Sequence, residues 1–345
     1  MRDYANYLQN RINLVIDNVM WFPLQVGDTI DLIAPSSAPE ISKFEKIANI
    51  ITSFGYIPSF KYSSINPISE YSNKDNIRAK NFHDAMNNTN SKAVWVIRGG
   101  AGSTRLWHIL ENMPPIQTCK PFIGFSDATG LHSYLHTIGI PTIHGITAEF
   151  NKNSGSTVIN NEESMEYLFD ILTGKYKTVS YQIEAINQIA QHNNIMLDDL
   201  TITGGNITLV IASLGSIYSP NTTQNSILIL ESVGETPHQL DRWFDALIHG
   251  CSLLSTTNMI KAIVIGSTLQ NASRQNSIVE NQNYNDSIER FSNIISNIPV
   301  YRGHFFGHDA HNKPIVLGSK AKIFKTETWN LEFTVPIHQE IFSPQ

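Results

Sequence analysis

Pro121-Phe-Ile-Gly-Phe-Ser-Asp-Ala-Thr129 is the stretch on which the fold class turns. An apolar run of strand length, Pro121 to Phe125, stops on Ser126, and helical spacing takes over from Thr129 to His136. A strand that passes at once into a helix is half of a parallel β-α unit. The unit recurs upstream: Ala93 to Ile97 reads as a strand, Arg98-Gly-Gly-Ala-Gly102 as a glycine turn, and a helix runs through Leu106 and Ile109. Before it lies Val26-Gly-Asp-Thr-Ile-Asp-Leu-Ile-Ala-Pro-Ser-Ser37, with a short buried strand at Ile30 to Ala34 closed by Pro35. Ser36 and Ser37 are expected to cap the helix carrying Ile41, Phe44, Ile47, Ala48 and Ile51. Gly55 ends that helix, Ile57 to Tyr62 is a second strand, and Asn76 to Asn87 another helix. Ile140 to His144 is expected to be the last strand. This alternation predicts a mostly parallel sheet covered by helices, with ligands at the carboxyl ends of its strands, where Gly99, Gly100 and Ser126 fall.

Downstream the pattern changes. A helix is expected from Glu162 to Leu172, and residues 174–200 lose periodicity and read as the crossing between two domains. The second half holds Gly204-Gly-Asn-Ile-Thr208, a helix-like Leu209 to Leu214 and a buried strand Ser226 to Glu231. A helix from His238 to Ile248 and a strand Ala262 to Gly266 follow. The Asn-rich segment 271–286 reads as a solvent-facing loop. Val300 to Phe306 and Lys313 to Leu317 are strand candidates, and the end reads as a hairpin over 321–324 and 330–335. The expected division is an N-terminal extension 1–25, an α/β domain 26–172, a linker 173–200 and a smaller α+β, β-rich domain 201–345.

With 345 residues, 41% of them hydrophobic and 16% charged, the chain is long enough for two cores and reads as folded and water-soluble. Its net charge of -6 favours neither nucleic acid nor an anionic membrane. No stretch approaches the roughly 20 apolar residues of a membrane span. Residues 1–20 read as an amphipathic helix in which Asp17 and Asn18 interrupt any secretory apolar run, so the cytoplasm is expected. Two cysteines, Cys119 and Cys251, supply neither a disulfide framework nor zinc-ligand spacing, and read as small buried hydrophobes.

Three places combine a strand end, a turn and a reactive side chain. Ser126 sits where a sharp turn would expose a nucleophile beside backbone N–H groups, as in the G-x-S-x-G elbow, although Ala128 replaces the last glycine. The same serine could simply cap a helix. Glu231 ends an apolar strand, where a shielded carboxylate can orient a histidine or pair with an arginine such as Arg242. Glu235, after Gly234, reads as a solvated residue at a helix entry. His308, in Gly303-His-Phe-Phe-Gly-His308-Asp-Ala-His311, follows an aromatic run and a glycine, whereas His304 reads as packed or on the surface. The His308–His311 spacing invites a metal site, but no second carboxylate or cysteine group stands near it in sequence. Serine, then acid, then histidine is an order in which a triad is built.

At these residues the chain resembles the LD-carboxypeptidase (muramoyl-tetrapeptide carboxypeptidase) family, to which the microcin-immunity proteins are related. Gly27 to Ser37 is similar to that family's first strand and loop, and Arg98 to Gly102 to its glycine turn, with Ala101 where an aromatic is common. Gly124-Phe-Ser-Asp-Ala-Thr129 resembles its nucleophile segment. Gly204 to Thr208 and Leu230-Glu-Ser-Val-Gly-Glu235 resemble its second-domain motifs, with Ser232 where an acid is frequent. Phe306-Gly-His308, Asn312 and Pro314-Ile-Val-Leu-Gly318 resemble its histidine segment.

The resemblance implies a flavodoxin-like N-terminal domain, a C-terminal domain supplying the acid and histidine, and a site in the cleft between them, often in a homodimer. It implies Ser126, Glu231 and His308 as the triad, and an oxyanion hole from backbone N–H groups at Gly100 and Asp127. It also implies release of D-alanine from a murein tetrapeptide without metal or cofactor. Arg98, beside Gly99, is a candidate for the substrate's terminal carboxylate, since its guanidinium offers a fixed fork of donors; bracing the glycine turn is the other role open to it. The rival activities are cleavage of an acyl-aminoacyl nucleotide and non-catalytic muropeptide binding.

Overall fold

The computed structural model describes residues 20–149, 162–192, 196–220, 225–255, 257–268, 278–308 and 312–338. The amphipathic helix expected within residues 1–20 lies almost wholly outside them. Five strands of the first half, β1 (Thr29–Ile33), β2 (Ile57–Phe60), β3 (Ala93–Val96), β4 (Phe122–Gly124) and β5 (Thr142–His144), pair in parallel in the order β5-β4-β3-β1-β2. Their side chains alternate between two cores. Ile30, Leu32, Trp95, Ile123 and Ile143 face one, while Ile33, Val94, Val96 and Phe122 face the helices Asp75–Asn87 and Thr129–Thr137. A strand buried on both faces has no polar positions to alternate, which is why these runs read as continuously apolar.

The second half contributes β6 (Thr178–Ala185), β7 (Leu197–Asn206), β8 (Ser226–Glu231), β9 (Ile260–Ile265), β10 (Val300–Arg302), β11 (Ile315–Leu317), β12 (Lys320–Lys325) and β13 (Trp329–Thr334). All but β11 close into a barrel in the order β10-β6-β13-β12-β7-β8-β9. β7, β8, β9 and β10 run parallel, and antiparallel pairing through β12, β13 and β6 completes the ring. Ile227 and Ile229 of β8 point into the core shared with the first sheet, whereas Leu228 and Leu230 pack under the helix Pro237–Gly250. The fold is therefore a two-domain α/β architecture, as expected, with the expected hairpin at β12–β13.

Three expectations are corrected. Residues 173–200 are not a plain crossing, because Thr178–Ala185 forms β6 and Leu197 begins β7. The burial of β6 alternates at every step, Val179, Tyr181 and Ile183 inward, and the polar residues between them had masked a period of two. The Asn-rich segment is helical from Ile278 to Ile294, with Tyr284, Ile288 and Phe291 buried against the barrel; residues 271–277 lie outside the described set. Finally, β5 is not the last strand of the first sheet. β11, from the far end of the chain, pairs with it antiparallel, Ile315 opposite His144 and Leu317 opposite Thr142.

Candidate active site

Ser126 follows β4 after one extended residue, Phe125, and holds φ at +60°. A non-glycine residue in that region costs on the order of 1–2 kcal/mol. From Pro121 through His132, Ser126 is the one residue that is not buried, so the strained turn lifts its hydroxyl out of the core. Gly124 makes the turn tight: a Cβ there would lie 2.6 Å from that of Ala128. Ala in place of the elbow's last glycine is accommodated because its neighbour has no side chain.

The glycine turn lies flush against the serine. A Cβ on Gly99 would stand 3.0 Å from the Ser126 Cβ, and one on Gly100, at φ +106°, would overlap the Ser37 hydroxyl. The Ala101 N–H donates to Ser37 Oγ at 3.1 Å, and the Gly102 and Ser103 N–H groups donate to the Asp127 carboxylate at 3.1 and 2.9 Å. The peptide N–H groups of Gly100 and Asp127 make no hydrogen bond among the described residues. Ser36 and Ser37 do not cap the following helix. Ser36 Oγ donates to Asp127 at 2.5 Å and Ser37 accepts from Ala101, so both hydroxyls tie loops together. Burial pushes the Asp127 carboxyl above the usual carboxylate range, against the pull of its donors Ser36, Ser103 and Gly102.

Glu231 closes β8 with its side chain buried, and its Oε2 lies 2.5 Å from His308 Nδ1, also buried. A carboxylate only accepts, so Nδ1 carries the hydrogen and Nε2 is the nitrogen left to take a proton. The His308 ring packs 4.4 Å, centroid to centroid, from Phe125, the residue before Ser126. Arg242, the other partner weighed for Glu231, is exposed. Glu235 is half-buried, not solvated as expected, and accepts from the Thr208 hydroxyl at 2.6 Å. His304 lies on the surface, 3.5 Å from Glu184. Asp309 and His311, weighed as metal partners of His308, lie outside the described residues. Burial pushes the thiols of Cys119 and Cys251 up to about 12, which leaves them protonated and unreactive at neutral pH.

Two contacts that sequence spacing did not single out carry His308 across to the serine. Asn312, fully buried, accepts from the Gly307 N–H at 3.2 Å and donates to the Gly145 carbonyl of the first domain. The Asn206 N–H, at the end of β7 and opposite Glu231, donates to Thr129 Oγ1 at 3.0 Å. Gly205 permits that approach, since a Cβ there would lie 2.6 Å from Thr129 Oγ1. Arg98 braces the loop after β1: its guanidinium donates to the Ala38 carbonyl at 3.1 Å and stands 3.9 Å from Glu149, which Lys43 also holds at 2.6 Å.

Beneath β4, the buried His132 donates from Nε2 to the Gly124 carbonyl at 3.1 Å and accepts at Nδ1 from the Thr142 hydroxyl at 2.8 Å. Burial lowers its pKa from 6.5 to about 4. The unfolded chain therefore takes the proton first as pH falls, so stability is lost from about pH 6.5 down to about 4 and is unaffected above. At roughly 1.4 kcal/mol per pH unit, the loss amounts to about 3 kcal/mol. Urea midpoints measured between pH 7 and 4 are expected to fall less steeply in His132→Gln than in the parent; equal slopes would refute the assignment.

The geometry can be set beside known proteins. A profile described as the LD-carboxypeptidase N-terminal domain matches residues 30–145, and one described as the LD-carboxypeptidase C-terminal domain matches residues 201–323. The chain belongs to the LD-carboxypeptidase family. Among its relatives is a Rickettsia conorii protein named "Putative carboxypeptidase", 29% identical over 88% of this chain and 90% of that one. A Rickettsia prowazekii protein of the same description is 31% identical over 73% and 74%. The murein tetrapeptide carboxypeptidase of Pseudomonas aeruginosa is 25% identical over 71% and 76%. The fold of this carboxypeptidase is also that of solved structures. The muramoyltetrapeptide carboxypeptidase from Oxalobacter formigenes superposes with a TM-score of 0.70 at 22% identity, covering 88% of this chain and 99% of its own. The microcin C7 self-immunity protein MccF, solved with aspartyl sulfamoyl adenosine, does so with 0.68 at 18%, covering 91% and 98%. Among the described residues no helix is long and apolar enough to cross a membrane.

Proposed function

We propose that this carboxypeptidase removes the C-terminal D-alanine from murein tetrapeptides in peptidoglycan recycling, through an acyl-enzyme on Ser126. The observation that carries the reading is the pairing of a strained, outward serine with a buried imidazole whose Nδ1 is held by Glu231 and whose ring packs on the residue preceding that serine. Ser126 Oγ attacks the carbonyl of the L,D amide bond while His308 Nε2 takes its proton. The carbonyl oxygen becomes an oxyanion, which the free N–H groups of Gly100 and Asp127 receive. His308 then protonates the amine of D-alanine, the C–N bond breaks, and water, activated by the same imidazole, releases the tripeptide from Ser126. Glu231 keeps the imidazole in the tautomer that can accept and stabilises it when charged.

Arg98, aligned by Ala38 and Glu149 and nearly half exposed, is proposed to take the terminal carboxylate with the donors its braces leave open. A homodimer working in the cytoplasm, with a peptide as its one substrate class, completes the reading. Mass spectrometry of tetrapeptide after incubation tests it. Loss of one D-alanine, unaffected by chelators, is the expected result. Intact tetrapeptide together with cleavage of an acyl-aminoacyl nucleotide would transfer the protein to the activity of its immunity-type relatives, and binding without cleavage of either would make it a muropeptide-binding protein.

A further inference from the structure

The nucleophile segment carries a second acid that the triad does not use. Asp127 is 3% exposed, and its carboxylate gathers donors from two other loops: Ser36 Oγ at 2.5 Å, Gly102 N at 3.1 Å and Ser103 N at 2.9 Å. Its own carbonyl accepts from Ser103 Oγ at 2.5 Å. The same two loops also meet the buried guanidinium of Arg78, which donates to the Gly102 carbonyl at 3.0 Å and to the Pro35 carbonyl, and is itself held by Asp75 at 2.6 Å. Residues 35–36 and 102–103 are thus held both by a carboxylate and by a guanidinium. An uncharged, less connected arrangement would be cheaper to bury, because removing an ion from water costs several kcal/mol before partners offset it.

What the grip controls follows from where the turns lead. The N–H groups of Ala101, Gly102 and Ser103 are all drawn inward, to Ser37 and Asp127, whereas those of Arg98, Gly99 and Gly100 make no hydrogen bond among the described residues; Gly100 is the one next to the anchored part of the turn. On the nucleophile turn the N–H groups of Ser126 and Asp127 likewise make none among the described residues. One donor of the proposed oxyanion hole lies on the glycine turn and the other on the nucleophile turn, and the Asp127 side chain links those turns directly, beside the bond from Ser103 Oγ to the Asp127 carbonyl.

We infer that the Asp127 carboxylate, with the Ser36 hydroxyl, is the positioning device of the oxyanion hole, setting the distance between the Gly100 and Asp127 N–H groups. The inference rests on the acyl-transfer reading of Ser126. It predicts an effect on the transition state and not on substrate binding, since the hole fills only when the oxyanion forms. In Asp127→Asn the amide presents N–H groups to donors that need an acceptor, so the turns part. In Ser36→Ala one of the three donors is removed and the carboxylate keeps the other two.

The experiment measures two readouts on the full chain: kcat and KM for tetrapeptide, and the rate of labelling by an alkyl fluorophosphonate. In the labelling, Ser126 Oγ bonds to phosphorus, fluoride leaves, the serine proton passes to His308, and the phosphonyl oxygen takes the oxyanion position. Expected for Asp127→Asn is a fall of about 100-fold in both kcat and labelling rate, with KM little changed, by comparison with the loss of one oxyanion donor. Ser36→Ala should fall about 10-fold, as one connection of several, and Ser36→Thr should restore the rate by restoring the hydroxyl. A merely structural aspartate would lower the melting temperature and leave the rates of the folded protein as they were. Wild-type rates in folded Ser36→Ala overturn the inference even if Asp127→Asn fails to fold. A parent protein that takes the probe at Ser126 but spares tetrapeptide overturns only the substrate, and the labelling rates still decide the clamp. No labelling at Ser126 overturns both.

Discussion

Ser126→Gly is expected to abolish hydrolysis and to stabilise the protein. The two effects have opposite signs because the serine has two physical roles. Its hydroxyl is the proposed nucleophile, and removing a triad nucleophile costs about 10⁴- to 10⁶-fold in kcat. Its backbone, at φ +60°, sits where a side chain is strained and glycine is not. Relief of that strain is worth on the order of 1 kcal/mol, enough to raise the urea midpoint measurably. Ser126→Ala should lose activity to the same extent without the gain in stability. A Ser126→Gly protein that is both inactive and less stable would mean that the turn is held by the hydroxyl's contacts, and that the strain argument fails.

Glu231→Gln is the second large effect. The glutamine keeps the size of the glutamate, and it can present its amide N–H to Nδ1. That would place the imidazole hydrogen on Nε2, the nitrogen that has to accept the serine proton. Swapping the acid of a triad for its amide costs about 10⁴-fold in kcat, mainly through this wrong tautomer. Fold stability should change far less, because a buried amide costs less to desolvate than a buried carboxylate. The check is kcat for tetrapeptide alongside the fluorophosphonate labelling rate. Both should fall together, and a variant that retains more than a tenth of the parent rate would remove Glu231 from the proposed mechanism.

Much of the fold could be read from local pattern, and the parts that could not share one cause. β1, β3, β4 and β8 are apolar runs bounded by turns, and their limits agree with the structure to within a residue or two. β6 was hidden because a barrel strand with one wet face shows serine, glutamine and glutamate at every second position, and its polar half suggested a linker. The helix Ile278–Ile294 was hidden because asparagines dilute an apolar stripe of which Tyr284, Ile288 and Phe291 are the buried part. Lys313 to Leu317 was recognisable as a strand, but nothing local could tell that it would leave the barrel and pair with β5.

The candidate site shows the same division. Ser126, Glu231 and His308 stand at element ends visible in the sequence, and family resemblance ordered them. Ser36, the side-chain N–H of Asn312 and the side chain of Asp127 act through partners 91, 167 and 24 or more residues away, so no short window of sequence contains these interactions. Asn312 stands out in the sequence through the family's histidine segment alone, and it lies three residues ahead of the apolar strand Ile315–Leu317.

The excursion of β11 into the first sheet has a consequence for how such a protein can be divided. The histidine segment leaves the barrel at β10, crosses to Gly145 through Asn312, and is fastened again where Ile315 to Leu317 completes the neighbouring sheet. The two halves are therefore not exchangeable parts. A fragment ending at residue 172 would present β5 as a bare edge with no strand to cover it, an invitation to stick to other chains. A chimera joining this first half to a relative's barrel would have to inherit a β11 that fits β5 residue for residue. The heritable unit is the whole chain, because the residue proposed to move the proton is buckled to the other domain on its way home.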